Sequence, residues 1–253
     1  MLASGSSGNS ALLATENTRL LVDAGLSMRE LRKRLASVGE NLDDVDAILV
    51  THEHSDHVAG LPVLARNRCV RATIYLTALT GRTIDFGECE PRLEHFQAGA
   101  SFQIGDIGVQ SFGIPHDAAD PVGFCLEAEG VRFGIATDLG YIPDSVRYHL
   151  RRTDLLLLES NHDLDMLKVG PYPWSVKQRV MSRVGHLSNL GMADFLTGDL
   201  DSGTAHLVLG HISEQNNHPE IVRITAAEVL ERRGLKAKLA LANQHTPTEV
   251  FQF

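Results

Sequence analysis

Residues 50–57 read Val-Thr-His-Glu-His-Ser-Asp-His, and this stretch decides the fold. An apolar run that ends at this point predicts a buried strand, and three histidines and an aspartate follow it within six residues. Imidazole nitrogen and carboxylate oxygen are both ligand types for Zn²⁺. Alternate residues at a strand end can point the same way, so His52 and His54 can share one metal ion while Asp56 and His57 face a second. Four potential ligands at this spacing are not typical of an ordinary polar loop.

Three further candidate ligands follow other apolar runs. His116 comes after Gly-Ile-Pro, Asp138 follows the run 131–136, and His211 follows Leu-Val-Leu-Gly. A single histidine after a strand is usually a surface or capping residue. Three candidates after three separate strands, together with the H-x-H-x-D-H spacing, instead indicate metal binding.

Short runs rich in Val, Ile and Leu predict strands, separated by Gly, Asp and Pro. The predicted strands are 20–23, 47–50, 73–76, 122–127, 131–136, 154–158, 206–209 and 238–241. The predicted helices are 27–38, 58–67, 174–184, 190–196 and 219–233. Ser27 and Glu30 have the spacing of a capping box, and Pro219 suits a first helical turn. Hairpin-like strands followed by alternating strands and helices predict an α/β protein with mixed sheets covered by helices.

The composition is that of an ordinary globular protein, with 253 residues, 23 Lys+Arg, 32 Asp+Glu and a formal charge of −9. We expect one domain over residues 1–253 and no membrane association, because no apolar run approaches about 18 residues and the N-terminus lacks a signal-peptide pattern. Three cysteines at unrelated spacings fit a reducing cytoplasm rather than a disulfide framework. The acidic balance argues against non-specific coating of nucleic acid.

The motif Thr-His-Glu-His-Ser-Asp-His at 51–57 resembles the signature of the metallo-β-lactamase fold. Other segments resemble one branch of that fold, the YycJ/WalJ family of metal-dependent nucleases. These segments are 2–10, 21–26, 116–121, 159–163, 172–174, 185–186, 210–217 and 246–249. The H-x-H-x-D-H spacing identifies only the superfamily, and the later segments point to the branch. The resemblance covers nearly the whole chain and implies a four-layer αββα sandwich with two mixed sheets.

The resemblance also implies two divalent metal ions, with zinc favoured by the ligand types and manganese as the alternative. It assigns three ligands to each ion and one bridging ligand: His52, His54 and His116 for the first, Asp56, His57 and His211 for the second, and Asp138 for both. A metal-bridged hydroxide is a nucleophile at neutral pH, because metal ions lower the pKa of their water to about 7. The same pair of ions can offset charge that develops on a phosphate.

Four side chains are assigned roles beside the metals. His186 lies in a Gly-His segment similar to one that assists the leaving group or holds the phosphate in related ribonucleases, so it is a candidate general acid. The alternative is a histidine that merely flanks a helix. Asp56 is a candidate catalytic residue, although a metal ligand is a weak base, and we prefer it as a ligand and orienting group. Glu159 and His162 are assigned to fix ligand tautomers, with a purely structural role as the open alternative.

A basic segment is the expected substrate contact. Residues 166–193 carry four basic side chains and no acidic one. Basic side chains bind phosphates, although a solvated helix face is the alternative interpretation. The single tryptophan, Trp174, lies in this segment and is predicted to pack in the core, because it is a large packing unit. The predicted substrate contacts are Lys177, Arg179, Arg183, Asn9, Asn216 and Asn217.

Three functions are compatible with these residues. The basic segment and the resemblance favour a cytoplasmic two-metal phosphodiesterase that hydrolyses nucleic acid, DNA rather than RNA, as a 5′-to-3′ exonuclease. The second function keeps the metals but acts on a small cyclic or linear phosphodiester, a thioester or a lactam. The third is a non-catalytic binding or sensor protein, and the complete ligand set argues against it.

Overall fold

The computed structural model describes residues 1–67 and 69–253. Twelve strands lie in this part of the chain: β1 (Ala11–Ala14), β2 (Arg19–Val22), β3 (Ala47–Leu49), β4 (Thr73–Thr77), β5 (Leu93–Phe96), β6 (Ser101–Ile104), β7 (Ile107–Gly113), β8 (Val122–Ala128), β9 (Val131–Ala136), β10 (Leu155–Glu159), β11 (His206–Gly210) and β12 (Lys238–Leu241). The same residues form nine α-helices: α1 (Met28–Ser37), α2 (Ser55–Val58), α3 (Leu61–Arg66), α4 (Ala78–Thr83), α5 (Asp144–His149), α6 (Leu164–Val169), α7 (Trp174–Val180), α8 (Asn189–Gly198) and α9 (Pro219–Arg233).

The strands form two mixed sheets. The first has the order β1-β2-β3-β4-β5, in which β1 is antiparallel to β2 and the remaining pairs are parallel. The second has the order β12-β11-β10-β9-β8-β7-β6, in which β9 to β12 run parallel. Its β8–β9 and β6–β7 pairs are antiparallel. The predicted α/β class with mixed sheets is therefore confirmed.

The chain divides into two compact units that are interleaved in sequence. The first unit contains Met1–Ser111, Ala118–Val122 and Asn243–Phe253. The second contains Phe112–Asp117 and Gly123–Ala242. We expected a single domain over the whole length. The division into two units does not test that expectation, which stays a prediction.

In the first unit, α1 buries one face in the core. The side chain of Ser27 accepts a hydrogen bond from the backbone N–H of Glu30 at 3.3 Å, which confirms the predicted helix start. Leu31 and Leu35 lie four residues apart on one face and are both fully buried. Burial of two leucines contributes about 3–6 kcal/mol relative to exposure.

The second unit is built around β10, whose five residues are all buried. A continuous apolar run is typical of a parallel strand that is covered on both faces. Helix α9 has the predicted bounds, with proline in its first turn and Gly234 in the left-handed conformation at its end (φ 64°). Val222, Ala226 and Val229 of α9 join the core.

Two predicted helices differ from the structure. The helix expected over 58–67 is two shorter helices, α2 and α3, because the backbone N–H of Gly60 donates to the carbonyl oxygen of Ala24 at 2.8 Å and Pro62 has no N–H. The chain also passes very close to a neighbouring segment at Gly60. A Cβ atom there would lie 2.3 Å from the carbonyl oxygen of Leu26. The helix expected over 174–184 ends at Val180. No helix in the described ranges is both long and apolar enough to span a membrane.

Candidate metal centre

Three buried acidic or histidine residues near strand ends adopt the left-handed backbone conformation. They are Asp23 after β2 (φ 62°), Asp138 after β9 (φ 60°) and His211 after β11 (φ 53°). This conformation costs about 1–2 kcal/mol for a residue with a Cβ atom, so it persists where other contacts enforce it. Each of the three side chains is buried and held by polar contacts, and these positions mark the candidate site.

In the first unit, the loop after β3 brings four predicted ligands together. His52 and His57 are completely buried, and their ring centroids lie 4.1 Å apart. The ring of His54 lies 4.6 Å from that of His52. Nε2 of His57 lies 3.4 Å from Oδ2 of Asp56.

Asp23 fixes the orientation of this histidine cluster. Its carboxylate lies 2.7 Å from Nδ1 of His57 and accepts hydrogen bonds from the backbone N–H and the hydroxyl of Thr51 at 2.8 and 2.9 Å. The Thr51 hydroxyl oxygen lies 3.0 Å from Nδ1 of His52 and can accept its proton. Both histidines therefore direct Nδ1–H to the protein and present Nε2, as metal-binding histidines usually do. Asp23 and Thr51 had no assigned role, although Asp23 is the last residue of a predicted strand and both lie in segments that carry the family resemblance.

Asn9 contacts two predicted ligands directly. Its side chain is buried, and Nδ2 lies 3.1 Å from Oδ2 of Asp56 and 3.0 Å from Nε2 of His57. Oδ1 of Asn9 accepts from the backbone N–H of Gly5 at 2.9 Å, which holds the amide in place. Asn9 thus lies inside this cluster rather than at its rim, and its contact with substrate stays a prediction.

In the second unit, four side chains offer ligand atoms that lie within 4.8 Å of one another: Asp138, Glu159, His186 and His211. β10 and β11 are parallel, with Glu159 opposite Gly210, so Glu159 and His211 emerge at the same sheet edge. Oδ1 of Asp138 lies 3.4 Å from Nε2 of His211 and 3.7 Å from Nδ1 of His186.

Glu159 organises these side chains. It is fully buried, and its Oε1 lies 2.8 Å from Nδ1 of His186 and 3.1 Å from Nδ1 of His211. Its Oε2 accepts from the backbone N–H groups of Leu139 and Leu187 at 3.0 and 3.1 Å. Burial raises the pKa of this carboxyl, but the interactions with His186 and His211 outweigh burial and lower the pKa to about 2.

His186 lies against the other members of this cluster. Its ring stacks on that of His211, with centroids 5.2 Å apart, and 23% of its side chain is exposed. Burial lowers the pKa of His186, but the Glu159 carboxylate more than compensates and raises it above its ordinary value.

A second polar contact holds His211, because Nδ2 of Asn161 donates to its backbone carbonyl at 2.8 Å. No separate signal in the sequence marks Asn161.

His162 has a different environment. It is almost completely buried, and burial lowers its pKa to about 4. Its Nδ1 makes no hydrogen bond to the residues that the structure describes. Its backbone carbonyl accepts from the N–H of Asn189 at 2.9 Å. The expected effect of His162 on ligand tautomers stays a prediction.

His116 is held by a backbone carbonyl group from a distant part of the sequence. Nδ1 donates to the carbonyl oxygen of Gly185 at 3.2 Å, and its ring centroid lies 5.3 Å from that of His186. Gly185 has no room for a side chain, since a Cβ atom would lie 2.2 Å from the carbonyl oxygens of Arg179 and Val180. The close approach fixes the carbonyl that orients His116.

The predicted substrate contacts of the basic segment differ in exposure. Lys177 is buried, and its Nζ donates to the carbonyl oxygen of Lys168 at 2.7 Å. Arg179 is exposed and pairs with Asp117. Arg183 lies over the ring of Tyr141, with its guanidinium carbon 4.4 Å from the centroid.

The predicted core position of Trp174 is wrong, because 62% of this side chain is exposed. Trp174 is the first residue of α7, and α7 packs through Lys177 rather than through the indole. The size of the side chain was therefore a misleading signal.

Asn216 and Asn217 are buried rather than placed at a rim. Nδ2 of Asn217 donates to the carbonyl oxygen of Ser160 at 3.0 Å, and Oδ1 accepts from Nδ2 of Asn189 at 2.9 Å. The backbone N–H of Asn216 donates to Oγ of Ser213 at 3.2 Å. Both asparagines brace the loop after β11, and their contact with substrate stays a prediction.

Comparisons with known proteins identify the family. The profile of the Beta-lactamase superfamily domain matches residues 18–212. The chain is 39% identical over 241 residues to the exodeoxyribonuclease YycJ of Bacillus anthracis, covering 92% of this chain and 89% of that protein. It is 38% identical over 240 residues to the exodeoxyribonuclease WalJ of Streptococcus pneumoniae strain R6, covering 93% and 88%.

The chain belongs to the YycJ/WalJ branch of the metallo-β-lactamase superfamily. The fold agrees, because the metallo-β-lactamase fold protein YhfI of Bacillus subtilis matches 98% of this chain and 97% of its own, with a TM-score of 0.74 at 17% identity. The predicted family and fold class are confirmed. This member of the branch is a hydrolytic enzyme, and its fold implies divalent metal ions.

The side chains of this YycJ/WalJ-branch hydrolase fit such ions. Four predicted histidine ligands each place Nδ1 against a protein oxygen and leave Nε2 to face a ligand: His52, His57, His116 and His211. Imidazole nitrogens fixed in this way, with buried aspartates beside them, form the donor set that zinc and related divalent ions use. The identity of the metal stays a prediction.

Proposed function

We propose that this hydrolase is a dinuclear-metal phosphodiesterase that degrades DNA from the 5′ end. The observation that carries the proposal is the buried cluster of Asp138, Glu159, His186 and His211, with both imidazoles fixed by one carboxylate. The names of the YycJ and WalJ relatives, both exodeoxyribonucleases, support a nucleic-acid substrate. The absence of acidic side chains from residues 166–193 supports a polyanionic substrate.

The ligand assignment follows the sequence prediction. His52, His54 and His116 would hold one ion, Asp56, His57 and His211 the other, and Asp138 would bridge them, with zinc preferred over manganese. When bound, such ions lower the pKa of water to about 7 and offset charge on a phosphate. The tautomers that Asp23 imposes on His57 and Glu159 imposes on His211 favour this assignment, because they direct Nδ1–H to the carboxylate and present Nε2 as the ligand atom.

The chain supplies the remaining groups. Nδ1 of His186 is held by Glu159, so Nε2 is the end of the ring that can protonate or hold the leaving oxygen. Asp56 would serve as a ligand and would orient the attacking water, and Nδ2 of Asn9 donates to its carboxylate. Arg179 and Arg183 are two of the three exposed cations of the basic segment and would contact phosphates.

The test is a cleavage assay with purified protein and Zn²⁺ or Mn²⁺ on single- and double-stranded DNA and RNA, labelled at the 5′ or 3′ end. We expect DNA to be degraded in preference to RNA, and the label position to report 5′-to-3′ progress. Asp138→Ala should abolish cleavage without unfolding the protein. The matched control is Asp144→Ala, because Asp144 is fully exposed and its carboxylate lies 3.9 Å from Nε of Arg147.

Three outcomes would contradict the proposal. Full activity of Asp138→Ala would reject the bridging role, and degradation from the 3′ end would reverse the polarity. Cleavage of small phosphodiesters, thioesters or lactams with no cleavage of DNA would favour the alternative metallohydrolase function. The proposal also places the enzyme in the cytoplasm, which fractionation of the native host would test.

A further inference from the structure

Two exposed serines lie in an otherwise buried loop at the start of the first unit. Residues 2–10 are buried except for Ser6 and Ser7. The hydroxyl groups of both serines and the backbone N–H of Ser6 make no hydrogen bond to the residues that the structure describes. One short turn therefore offers three hydrogen-bond donors to a ligand, while its neighbours in the sequence lie inside the fold.

Contacts from distant parts of the sequence hold this turn in place. The backbone N–H of Gly8 donates to the carbonyl oxygen of Gly5 at 3.0 Å and closes the turn. The N–H of Ser7 donates to Oε1 of Gln244 at 2.9 Å, and a Cβ atom at Gly5 would lie 2.6 Å from the same oxygen. Arg34 donates to the backbone carbonyl of Gln244 at 2.9 Å. Donors that are fixed in this way lose little conformational entropy when they bind a ligand.

Asn9 links the turn to the histidine cluster of the first unit. Its Oδ1 accepts from the N–H of Gly5 at 2.9 Å, and its Nδ2 donates to the carbonyl oxygen of Gly5 at 3.1 Å. The same Nδ2 atom lies 3.0 Å from Nε2 of His57 and 3.1 Å from Oδ2 of Asp56. These distances place the Gly5 carbonyl oxygen within about 6 Å of Nε2 of His57. The turn therefore borders the predicted metal ligands, with one amide group between them.

The chemistry of the turn suits a phosphate group. Residues 1–15 contain no acidic side chain, and no Lys or Arg precedes Arg19, so the turn offers neutral donors without a carboxylate that would repel an anion. Serine hydroxyls and backbone N–H groups are common phosphate contacts in protein–DNA complexes, and N–H groups of turns form anion-binding concavities. Because the adjacent cluster is the proposed site of phosphodiester hydrolysis, the anion within reach is the backbone of the substrate.

We propose that the Ser6–Ser7 turn binds the substrate phosphate next to the scissile phosphate. This inference rests on the proposed nuclease function and adds a substrate-binding site to it. The metal ions would hold the scissile phosphate, and the Asn9 amide separates the turn from their ligands, so the turn contacts the next phosphate of the strand. That phosphate is the 5′-terminal monoester on one side of the cut, or the first internal diester on the other. Both serines bind substrate and take no part in bond cleavage.

Kinetics of serine variants test the contact on duplex DNA. Ser6→Ala and Ser7→Ala should each raise KM about 2- to 12-fold, the effect of one hydrogen bond, with kcat nearly unchanged. Threonine keeps the hydroxyl group, and neither serine has a positive φ, so Ser6→Thr and Ser7→Thr should restore KM. Ser101→Ala is the matched control, because Ser101 is an exposed serine on β6 in the same unit. It should leave KM unchanged.

Salt dependence separates this contact from that of a basic side chain. Removal of a Lys or Arg that neutralises a phosphate lowers the slope of log K against log salt by about one. The serine variants remove no charge, so their affinity should fall by the same factor at every salt concentration. Fluorescence anisotropy of a labelled duplex with Asp138→Ala protein measures this affinity without cleavage.

The same titration identifies which phosphate is bound. Duplexes that carry a 5′-phosphate or a 5′-hydroxyl group are compared, with and without Ser6→Ala and Ser7→Ala in the Asp138→Ala protein. A serine effect that is lost with the 5′-hydroxyl end identifies the terminal phosphate. An equal effect with both ends identifies the internal phosphate.

The outcomes separate this inference from the proposed function. If the wild-type protein cleaves DNA and the alanine variants keep its KM and its affinity for both duplex ends, the phosphate contact is rejected and the nuclease function stands. If the alanine variants lose bound Zn²⁺ in proportion to activity, the turn acts by holding the metal ligands and the inference is overturned. If the wild-type protein neither binds nor cleaves DNA, the nuclease function fails and this inference fails with it.

Discussion

Replacing Glu159 by glutamine is the sharpest test of how the second unit holds its histidines. The amide has nearly the same shape as the carboxylate, so packing is preserved. Glu159 is surrounded by four donors: Nδ1–H of His186 and of His211 on Oε1, and the backbone N–H groups of Leu139 and Leu187 on Oε2. Glutamine has a single acceptor oxygen, and its NH₂ group must face one of the two donor pairs.

The structure allows two responses to Glu159→Gln. If the donors do not rearrange, two of them stay unpaired in a fully buried site. Each costs about 1–3 kcal/mol, so the free energy of unfolding should fall by about 2–6 kcal/mol. For a protein of this size, Tm falls by about 2–4 °C per kcal/mol, which gives a decrease of about 4–24 °C.

In the second response, the amide faces the imidazoles and both rings change tautomer. The proton then moves to Nε2 of His211, and the ligand lone pair of that ring is lost. Loss of such an outer hydrogen bond typically lowers metal affinity about 10- to 100-fold. The free energy of unfolding would then change little, and the main effect of the substitution would be weaker metal binding.

Scanning calorimetry with chelator and titration calorimetry with Zn²⁺ measure the two responses separately. Glu127→Gln is the matched control, because its side chain is 63% exposed and lies 3.9 Å from Arg132. It should change stability by less than about 0.5 kcal/mol. A Glu159→Gln protein with wild-type Tm and wild-type metal affinity would refute the organising role of this carboxylate.

Two other predictions concern protons and metal. His162 has a pKa of about 4 in the folded protein, below the ordinary value of 6.5, so the unfolded chain binds more protons between these values. The free energy of unfolding should therefore fall as the pH drops from 6.5 to 4, by up to about 1.4 kcal/mol per pH unit. Urea titrations of His162→Asn should not show this loss of stability. If both proteins show the same pH dependence, His162 is not buried as a neutral ring. Chelation should lower Tm, since an ion present at 100 times its Kd stabilises the folded state by about 2.7 kcal/mol. Equal Tm values with and without EDTA would argue against bound metal.

Much of the fold could be predicted, because its central strands are continuous apolar runs. The five residues of β10 are all buried, and the sequence Leu-Leu-Leu-Leu identifies them without tertiary information. The edge-side strands β5 and β6 read Leu-Glu-His-Phe and Ser-Phe-Gln-Ile and were missed. Short half-exposed strands carry a weak pattern, and their pairing partners decide the structure.

The site could be predicted only at residues whose own type and spacing indicate metal binding. The histidines of residues 52–57 stand out by spacing, but Thr51 gains its role only because Asp23 lies within hydrogen-bond distance of it. Lys177 shows the opposite error. Its residue type predicts a surface cation, but in the structure its ammonium group donates to the carbonyl oxygen of Lys168. Contacts between residues distant in sequence, rather than residue types, determine these roles.

In each unit, one buried carboxylate fixes histidine tautomers, and the carbonyl oxygen of Gly185 orients His116. Asp23 does so in the first unit for His57 directly and for His52 through Thr51, and Glu159 does so in the second for His211. Because the carboxylates hold the Nδ1 protons before any ion binds, choosing the tautomer costs no free energy at the binding step. The left-handed backbone conformations of Asp23 and His211 each cost about 1–2 kcal/mol of stability. This cost accompanies the fixed orientation of the histidines. Metal affinity should therefore depend on these two carboxylates as well as on the ligands themselves.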